Sequence, residues 1–331
     1  MMATFENIRL DKGLYDSPKG FLAELEAIDP SENYKGTSLE NLDAFERQLK
    51  RFDIKVTGPD SDTIGKFFAT SDSAVLFPEY VSRAVRKGIE RFNYLDDIIA
   101  VKTNVSSLDY RTIESVPSDK EGLRKVAEDN KLPETVIRTQ ERLTALKKHG
   151  RMLVTPYEAI RFQRIALFTI TLQQLGVRIA DAQCAEAIRT LIDLDNNPAE
   201  RISLTNFTSY LYDVTAIRES LSPFELNQLI VSADMGNLLM HSPENEVFRA
   251  TLNPCNSRPK VTLYGINYLS STHCYSSIIG IDKNYALEMV NAGGLRVEVD
   301  KLIDRQFERT AITQTVGFAK LVPDAIKIMT F

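Results

Sequence analysis

Three observations predict an α+β fold. Residues Ile160 to Asp193 contain no proline and a single glycine, and their apolar residues recur at steps of three and four. This spacing predicts a helix about 45 Å long. Beyond it, short strand-like and helix-like segments interleave without the strict βαβ order of a parallel sheet. The stretch from Arg309 to Ile328 is rich in β-branched residues and predicts a strand more than twice the ordinary length of about five or six residues, with only half-apolar faces.

The composition is that of a globular protein. The chain has 331 residues, of which 43% are hydrophobic and 26% are charged, enough for two subdomains. The net charge of −5 and the pI near 5.5 give no overall attraction to nucleic acid. Cys184, Cys255 and Cys274 form no close-spaced pair, which favours reduced thiols and a cytosolic setting. No apolar run approaches the roughly 18 residues of a membrane span, so no membrane association is expected.

The first 100 residues predict an arm followed by a helix. Polar and turn residues dominate residues 1–70, with one short amphipathic segment, LENLDAFERQLKRF, which predicts an extended arm that lies on another part of the assembly. The stretch SDSAVLFPEYVSRAVRKGIERFN predicts a helix with Pro78 in its first turn. A solvated face is the favoured interpretation of its basic residues, and a patch facing another subunit or DNA is the alternative. These residues are Arg83, Arg86, Lys87 and Arg91.

Residues 101–145 predict a long two-stranded excursion. VKTNVSSLDYRTIES and TVIRTQERLTALKK both alternate like half-buried strands, and they flank a charged insert bounded by prolines. Because an isolated hairpin is marginally stable in water, this one must rest on another part of an assembly. The pattern therefore suggests oligomerisation.

The helix from about Ile160 to Asp193 is predicted to be a single helix packed on a sheet rather than a coiled coil. Its apolar stripe comprises Ile165, Phe168, Leu172, Leu175, Ile179, Ala182, Ala185, Ile188 and Ile192. Pro198 ends it, and a further helix capped by Ser203 is predicted next, with Leu204, Phe207, Leu211 and Val214 facing inward. The later strands include YALEMV and LRVEVD, joined across Ala292–Gly294.

No constellation of catalytic or metal-binding residues is predicted. The only histidines are His149, His241 and His273, and no nucleophile elbow, phosphate loop or dinucleotide motif is present. His273 and Cys274 with Cys255 lack zinc-ligand spacing. Asp193, Asp195 and Asn197 begin like a calcium loop, but Pro198 replaces its glycine and Leu204 its closing glutamate. The sequence thus predicts no catalytic residue, no cofactor, no metal site and no enzymatic activity.

The ordered set of elements resembles a known family. An arm, a polar β-excursion, a long helix, a compact mixed region and a long C-terminal strand together resemble the Hong Kong 97-like fold of tailed-bacteriophage major capsid proteins, which bacterial encapsulin shells share. The stretches that carry the likeness are SDSAVLFPEYVSRAVRKGIE, MLVTPYEAIRF and above all LIDRQFERTAITQTVGFAKLVPDAIKI. The likeness runs from about residue 70 onward.

The resemblance implies a division of the chain into six segments. These are an N-terminal arm (1–70), the first part of the peripheral domain (71–100), an extended loop over a neighbouring subunit (101–145), the rest of the peripheral domain with its spine helix (146–199), an axial domain (200–290), and a return strand with the C-terminal end (291–331). The strand from about Phe307 to Leu321 would run beside the spine helix.

The function implied by the resemblance is that of a major capsid protein. It would assemble with itself into pentamers and hexamers of an icosahedral shell around double-stranded DNA, without sequence-specific contacts to that DNA. A separate scaffolding protein, a portal and a decoration protein are the other expected partners. The virion, and the host bacterial cytoplasm during assembly, are the expected locations. An encapsulin-type shell around protein cargo is the alternative, and a soluble α+β enzyme or binding protein is the second alternative.

No covalent cross-link between subunits is expected. The phage that gives the fold its name joins a loop lysine to an asparagine of a neighbour with the help of a glutamate. By resemblance, the asparagine position falls near Gln306 and the glutamate position near Thr313, with Glu308 as a fallback. Threonine cannot serve as a carboxylate base. The available loop lysines are Lys120, Lys125 and Lys131.

Overall fold

The computed structural model of this protein contains both helices and strands. It describes residues 5–17, 19–117, 125–126, 128, 132, 134–192, 200–203, 210–232, 261–263, 265–275, 277–302 and 307–330. The helices are α1 (Phe21–Ile28), α2 (Ala44–Arg51), α3 (Ser71–Phe92), α4 (Tyr157–Phe162), α5 (Ile165–Ile192) and α6 (Tyr210–Ser220).

Strands make up much of the remainder. They are β1 (Val101–Val105), β2 (Ile113–Pro117), β3 (Thr135–Thr139), β4 (Lys147–Pro156), β5 (Glu200–Ser203), β6 (Gln228–Ser232), β7 (Val261–Leu263), β8 (Ile266–Ser271), β9 (Ser277–Ile281), β10 (Leu287–Ala292), β11 (Arg296–Leu302), β12 (Phe307–Lys320) and β13 (Ile326–Thr330). The mixture of helix and strand confirms the predicted α+β class.

The chain forms two compact units. The first comprises residues 1–93, 149–181 and 294–314, and the second comprises residues 94–148, 182–293 and 315–331. Among the residues that the structure describes, no helix is long and apolar enough to span a bilayer. The six segment boundaries implied by the family resemblance remain predictions.

In the first unit, α3 and the first half of α5 cross at two glycines. Gly88 faces the backbone of Gln173, and Gly176 faces the backbone of Val85, so that a Cβ at either glycine would overlap the opposite helix. The stripe predicted for this half of α5 is buried, from Ile165 through Ile179. Close approach of the two backbones therefore organises the core of this unit.

The N-terminal segment, residues 5–69, is folded within the first unit. Its apolar residues Ile8, Phe21, Leu25, Phe45 and Leu49 are buried in the same cluster as the apolar face of α3. Short 3-10 turns and helices α1 and α2 build the segment. It therefore differs from the extended arm that its polar composition predicts, because buried hydrogen bonds satisfy polar groups such as the guanidinium of Arg47 within the segment.

The predicted helix over Ile160–Asp193 is interrupted. Helix α4 ends at Phe162 and α5 begins at Ile165. Between them the chain pairs with another segment, because Ile64 N donates to Gln163 O (3.0 Å) and Ile165 N donates to Asp62 O (2.8 Å). The predicted stop at Pro198 lies outside the described residues.

In the second unit, α5 continues with a shifted stripe. Cys184, Ala187 and Leu191 are buried, whereas the predicted Ala182 and Ala185 are only half-buried. Neighbouring strands follow the order β5-β13-β9-β6-β8-β7, with β6 and β9 buried along their lengths. Helix α6 packs on this sheet at Gly280, where a side chain would overlap Ile217.

Two connections differ from the sequence predictions. β10 and β11 follow each other across residues 293–295, as predicted, but the turn does not join paired strands: each pairs antiparallel with a different half of β12. Ser203 ends strand β5 instead of capping a helix, and α6 is described only from Tyr210. Val214 is buried as predicted, while Leu204, Phe207 and the side chain of Leu211 lie outside what the structure describes.

The position of Pro78 also differs from the prediction. Helix α3 begins seven residues earlier, at Ser71, where Thr70 and Ser73 form a reciprocal capping box. Pro78 thus lies in the helix interior, where it offers no N–H. The hydroxyl of Tyr15 donates to Val75 O (2.8 Å) and accepts from Glu79 N (3.0 Å), which places it between two backbone groups that bond directly in a regular helix.

Candidate assembly surface

The β2–β3 hairpin of the second unit exposes large apolar side chains. Ile113 pairs with Thr139 and Pro117 pairs with Thr135, which confirms the two-stranded excursion predicted for this region. Every residue of β3 is exposed, and the side chains of Ile113 and Ile137 are 59% and 71% exposed. Large apolar side chains at such exposure are unusual on a two-stranded sheet unless something covers them.

The two faces of the hairpin differ in character. The register places Ile113 and Ile137 diagonally on one face, with Thr139 beside Ile113. On the other face, Arg138 Nε donates to Glu114 Oε1 at 2.5 Å. The first face carries the two exposed isoleucines, and we call it the isoleucine face.

A buried carboxylate anchors the segment that leads from β1 out to β2, residues 106–112, which we call the outgoing leg of the hairpin. Glu288 lies on β10, is 4% exposed, and is the register partner of Val101 on β1. Its Oε1 accepts from the hydroxyls of Thr103 and of Tyr110 (2.7 Å), and its Oε2 accepts from the hydroxyl of Thr112. Burial, and then the hydrogen bond to Glu288, raise the pKa of the Tyr110 phenol above its ordinary value, so the hydroxyl stays a donor.

The segment that leads back from β3 to β4, residues 140–146, is anchored differently, and we call it the return leg. Gly317 on β12 faces Leu146, the carbonyl of Ala145 and the methyl of Thr144, leaving no room for a side chain. Gln140 Nε2 also donates to Lys320 O at 3.1 Å. The return leg therefore crosses the long C-terminal strand at a position where only glycine fits.

Backbone bonds join the two legs at this level. Gln140 N donates to Thr112 O, and Thr144 N donates to Tyr110 O, both at 2.8 Å. The pair continues the β2–β3 ladder toward the sheet. The hairpin is therefore an exposed structure on a hydrogen-bonded joint, which we call the hairpin root.

The first unit carries an apolar surface of its own. Met152 and Val154 on β4 are exposed at alternate positions, and Leu167 and Ile170 are exposed one turn apart on α5. Phe162 at the end of α4 is 80% exposed. Leu167 and Ile170 thus leave the exposed side of α5 apolar in its first turns.

The solvated face favoured for the basic residues of α3 is found at three of the four. Arg83 Nη1 lies 2.7 Å from Asp43 Oδ2, its Nε donates to Glu79 Oε1 (3.0 Å), and its guanidinium stacks on Phe45. Arg83 therefore belongs to an internal network. The exposed cations that remain on this helix are Arg86, Lys87 and Arg91.

The residues weighed for cross-linking fall in different places. Thr313 is half-buried on β12 and pairs with Arg296, Glu308 is buried on the same strand, and Lys125 is exposed. Gln306, Lys120 and Lys131 lie outside the described residues. The absence of a cross-link remains a prediction.

Only some of the residues considered as metal ligands in the sequence lie within the described part of the chain. Cys274 is buried, and its Sγ donates to Ser277 O at 3.1 Å. Burial raises the pKa of its thiol to about 11. Cys255 and His241, and the calcium-like stretch from Asp193 to Leu204 apart from Glu200–Ser203, lie outside the described residues. Within the described ranges, no three His, Cys, Asp or Glu side chains come together as metal ligands would.

The hairpin root could not be found from sequence. Glu288 reads as one polar residue within a short strand, and its hydroxyl partners are more than 170 residues away along the chain. The one local signal in the sequence is Gly317, because a glycine inside a long strand-like stretch indicates the close approach of another backbone.

The comparisons with known proteins rest on structure. No protein-family model matches the chain, and no curated protein matches it in sequence. Among solved structures, the virus-like particle from Pyrococcus furiosus superimposes with a TM-score of 0.55 at 11% identity, covering 76% of this chain and 98% of that one. The capsid of the native GTA particle gives 0.54 at 12% identity, covering 74% and 90%.

A third structure, from Gordonia phage Cozz, gives a TM-score of 0.51 at 13% identity and covers 72% of this chain and 86% of its own. The phage-capsid resemblance predicted from the sequence is confirmed at the level of fold. The protein has the fold shared by the capsid of the GTA particle and the virus-like particle of Pyrococcus furiosus.

Proposed function

We propose that this protein is a major capsid protein that assembles into pentamers and hexamers of an icosahedral shell around double-stranded DNA. The observation that carries the proposal is the hairpin, which presents exposed isoleucines on an anchored root. The fold shared with capsid structures agrees with it.

The physical requirements of a shell favour such a hairpin. Many identical copies close into a shell through repeated heterologous contacts around symmetry axes. A projecting, anchored hairpin places part of each contact on a neighbour, while each subunit keeps its own core. The exposed isoleucines then become buried only on assembly, and their burial contributes roughly 25 cal/mol per Å² of apolar surface.

The partners follow from the same proposal. The protein binds further copies of itself, and a separate scaffolding protein, a portal and a decoration protein join it during head assembly. The packaged DNA is enclosed without sequence-specific contacts, and the protein's role is structural rather than catalytic. The finished protein resides in the virion, and assembly takes place in the host bacterial cytoplasm.

Electron microscopy and sedimentation of the purified full-length chain test the proposal. Rings of five and six subunits, or closed shells, are the expected products, and shells isolated from cells should contain nuclease-protected DNA. Shells filled with protein instead would support the encapsulin-type alternative. A protein that stays monomeric under every assembly condition, including co-expression with its scaffold, would exclude both.

We further propose that the shell is held together without covalent bonds between subunits. Thr313 offers no carboxylate for catalysis at the position that the family resemblance assigns to the glutamate. Boiled, reduced particles should run as a single band near the chain mass of 37.3 kDa on a denaturing gel. A ladder of multimers that survives this treatment would refute the proposal.

A further inference from the structure

The hairpin root joins a fixed strand to a projecting leg through one side chain. Thr103 belongs to β1, which pairs along its whole length with β10. Tyr110 and Thr112 belong to the leg that leads out to β2. Glu288 accepts hydroxyls from both, so its carboxylate bridges the sheet and the outgoing leg.

The bridge uses both oxygens of a carboxylate. Each of the three hydroxyls donates one hydrogen bond, and the two carboxylate oxygens accept all three. Hydrogen bonds to a charged acceptor are about twice as strong as neutral ones. An amide of the same size has one accepting oxygen and no charge, so in its place all three hydroxyls lose the charged acceptor and one accepting position becomes a donor.

The return leg is held by different contacts. It packs against the backbone at Gly317, Gln140 donates to Lys320 O, and strand β4, which follows it, pairs with β12. The outgoing leg is instead tied to the sheet by its side-chain bonds to Glu288. Glu288 is thus the side chain that can set the direction in which this leg leaves the sheet.

We propose that Glu288 is a positioning residue that locks the direction of the β2–β3 hairpin, and that a neutral side chain there lets the hairpin swing while the rest of the second unit stays folded. The proposal rests on the proposed shell function for its consequence, because a hairpin of undefined direction would meet neighbouring subunits at variable angles. Its structural content concerns the single subunit and can be tested without assembly.

Hydrogen exchange of the free subunit tests the lock. In Glu288→Gln and in Thr112→Val, which removes one donor and keeps the side-chain shape, amides of residues 110–116 and 135–144 should exchange about tenfold faster than in the wild type. Amides of β9 and β13 should keep their wild-type rates. Thr139→Val, an exposed hydroxyl on the hairpin itself, is the matched control and should change neither region.

Two outcomes would overturn the proposal. If amide exchange rises equally in β9 and β13, Glu288 stabilises the whole unit and does not position the hairpin. If amide exchange at the hairpin root does not change, the hydrogen bonds to Glu288 do not restrain the hairpin. Assembly gives a separate readout, since Glu288→Gln should yield particles of irregular size under conditions where wild-type shells are uniform. Failure of the wild type to assemble would count against the shell function alone, because the exchange result would stand.

Discussion

The N-terminal segment and the β2–β3 hairpin both appear in the sequence as polar stretches unable to fold alone. In the structure, their side chains are buried and exposed in opposite ways. The N-terminal segment buries its polar groups: Arg47 is fully buried, with Asp29 as its ion-pair partner. The hairpin instead exposes its apolar groups, with Ile137 among the most exposed large side chains. Polar composition alone therefore does not distinguish a segment that folds on its own chain from one that leaves its apolar side chains exposed.

The difference lies in how the polar groups are satisfied. Arg47 Nε donates to Asp29 Oδ2 (2.7 Å), its other nitrogens donate to Leu42 O, Asp29 O and Ser31 Oγ, and its guanidinium stacks over Tyr34. A buried charge is tolerated when its donors are paired in this way. In the hairpin, the one described ion pair lies at the surface, where such pairs contribute little.

The largest expected effect comes from removing the buried cation. Arg47→Met leaves Asp29 buried without its counter-ion and should lower the free energy of unfolding by about 3–5 kcal/mol. Urea titration of the purified protein measures it. Lys50→Met, an exposed lysine on the same helix, is the control and should shift the value by less than about 0.5 kcal/mol. Equal losses in the two variants would mean that the network around Arg47 does not hold the segment.

The next largest effect is expected at the return leg of the hairpin. Gly317→Ala places a Cβ against Leu146 and the Ala145 carbonyl, and overpacking of this kind costs about 1–3 kcal/mol. The same urea titration measures the loss, with faster amide exchange at residues 144–146. Gly294→Ala, where a Cβ would meet nothing within 4 Å, is the matched control. If both variants behave alike, the return leg does not rest on Gly317.

The sequence predicts the features that local periodicity encodes. The pairing of β2 with β3, the apolar stripe over Ile165–Ile179 and the long strand β12 all follow from alternation or helical spacing within one stretch. The break at Gln163 does not, because it results from pairing with residues about a hundred positions earlier.

The anchoring residues are unpredictable for the same reason. Arg47 lies in a short amphipathic segment, and Glu288 lies in the stretch YALEMV, which predicts a strand. Their partners come from other parts of the chain, at separations of 18 residues for Asp29 and 176 residues for Thr112. Composition and spacing predict which segments are marginal, whereas long-range hydrogen bonds decide where each one rests.

A smaller effect is expected at Tyr15, whose hydroxyl joins the N-terminal segment to helix α3. Tyr15→Phe removes the hydroxyl between Val75 O and Glu79 N, and leaving those groups without it should cost about 1–2 kcal/mol in unfolding free energy. The exchange of the Glu79 amide should rise with it. Tyr285→Phe, at a half-exposed tyrosine, is the control and should be neutral. An unchanged Glu79 amide would show that a water molecule replaces the hydroxyl at no cost.

The smallest effect on the free subunit is expected on the isoleucine face. Ile137→Lys places a charge where the wild-type side chain already faces water, so the free energy of unfolding should change by less than about 0.5 kcal/mol. In a shell the same lysine would be buried against a neighbour, and the assembled fraction should fall at least about tenfold, since each 1.4 kcal/mol of lost contact is a factor of ten. Arg138→Lys keeps its charge on the opposite face and should assemble normally. Sedimentation of both variants beside the wild type decides the matter: normal assembly of Ile137→Lys would show that the isoleucine face is not a contact between copies, whereas loss of stability in the free subunit would show that the hairpin, like the N-terminal segment, already rests on its own chain.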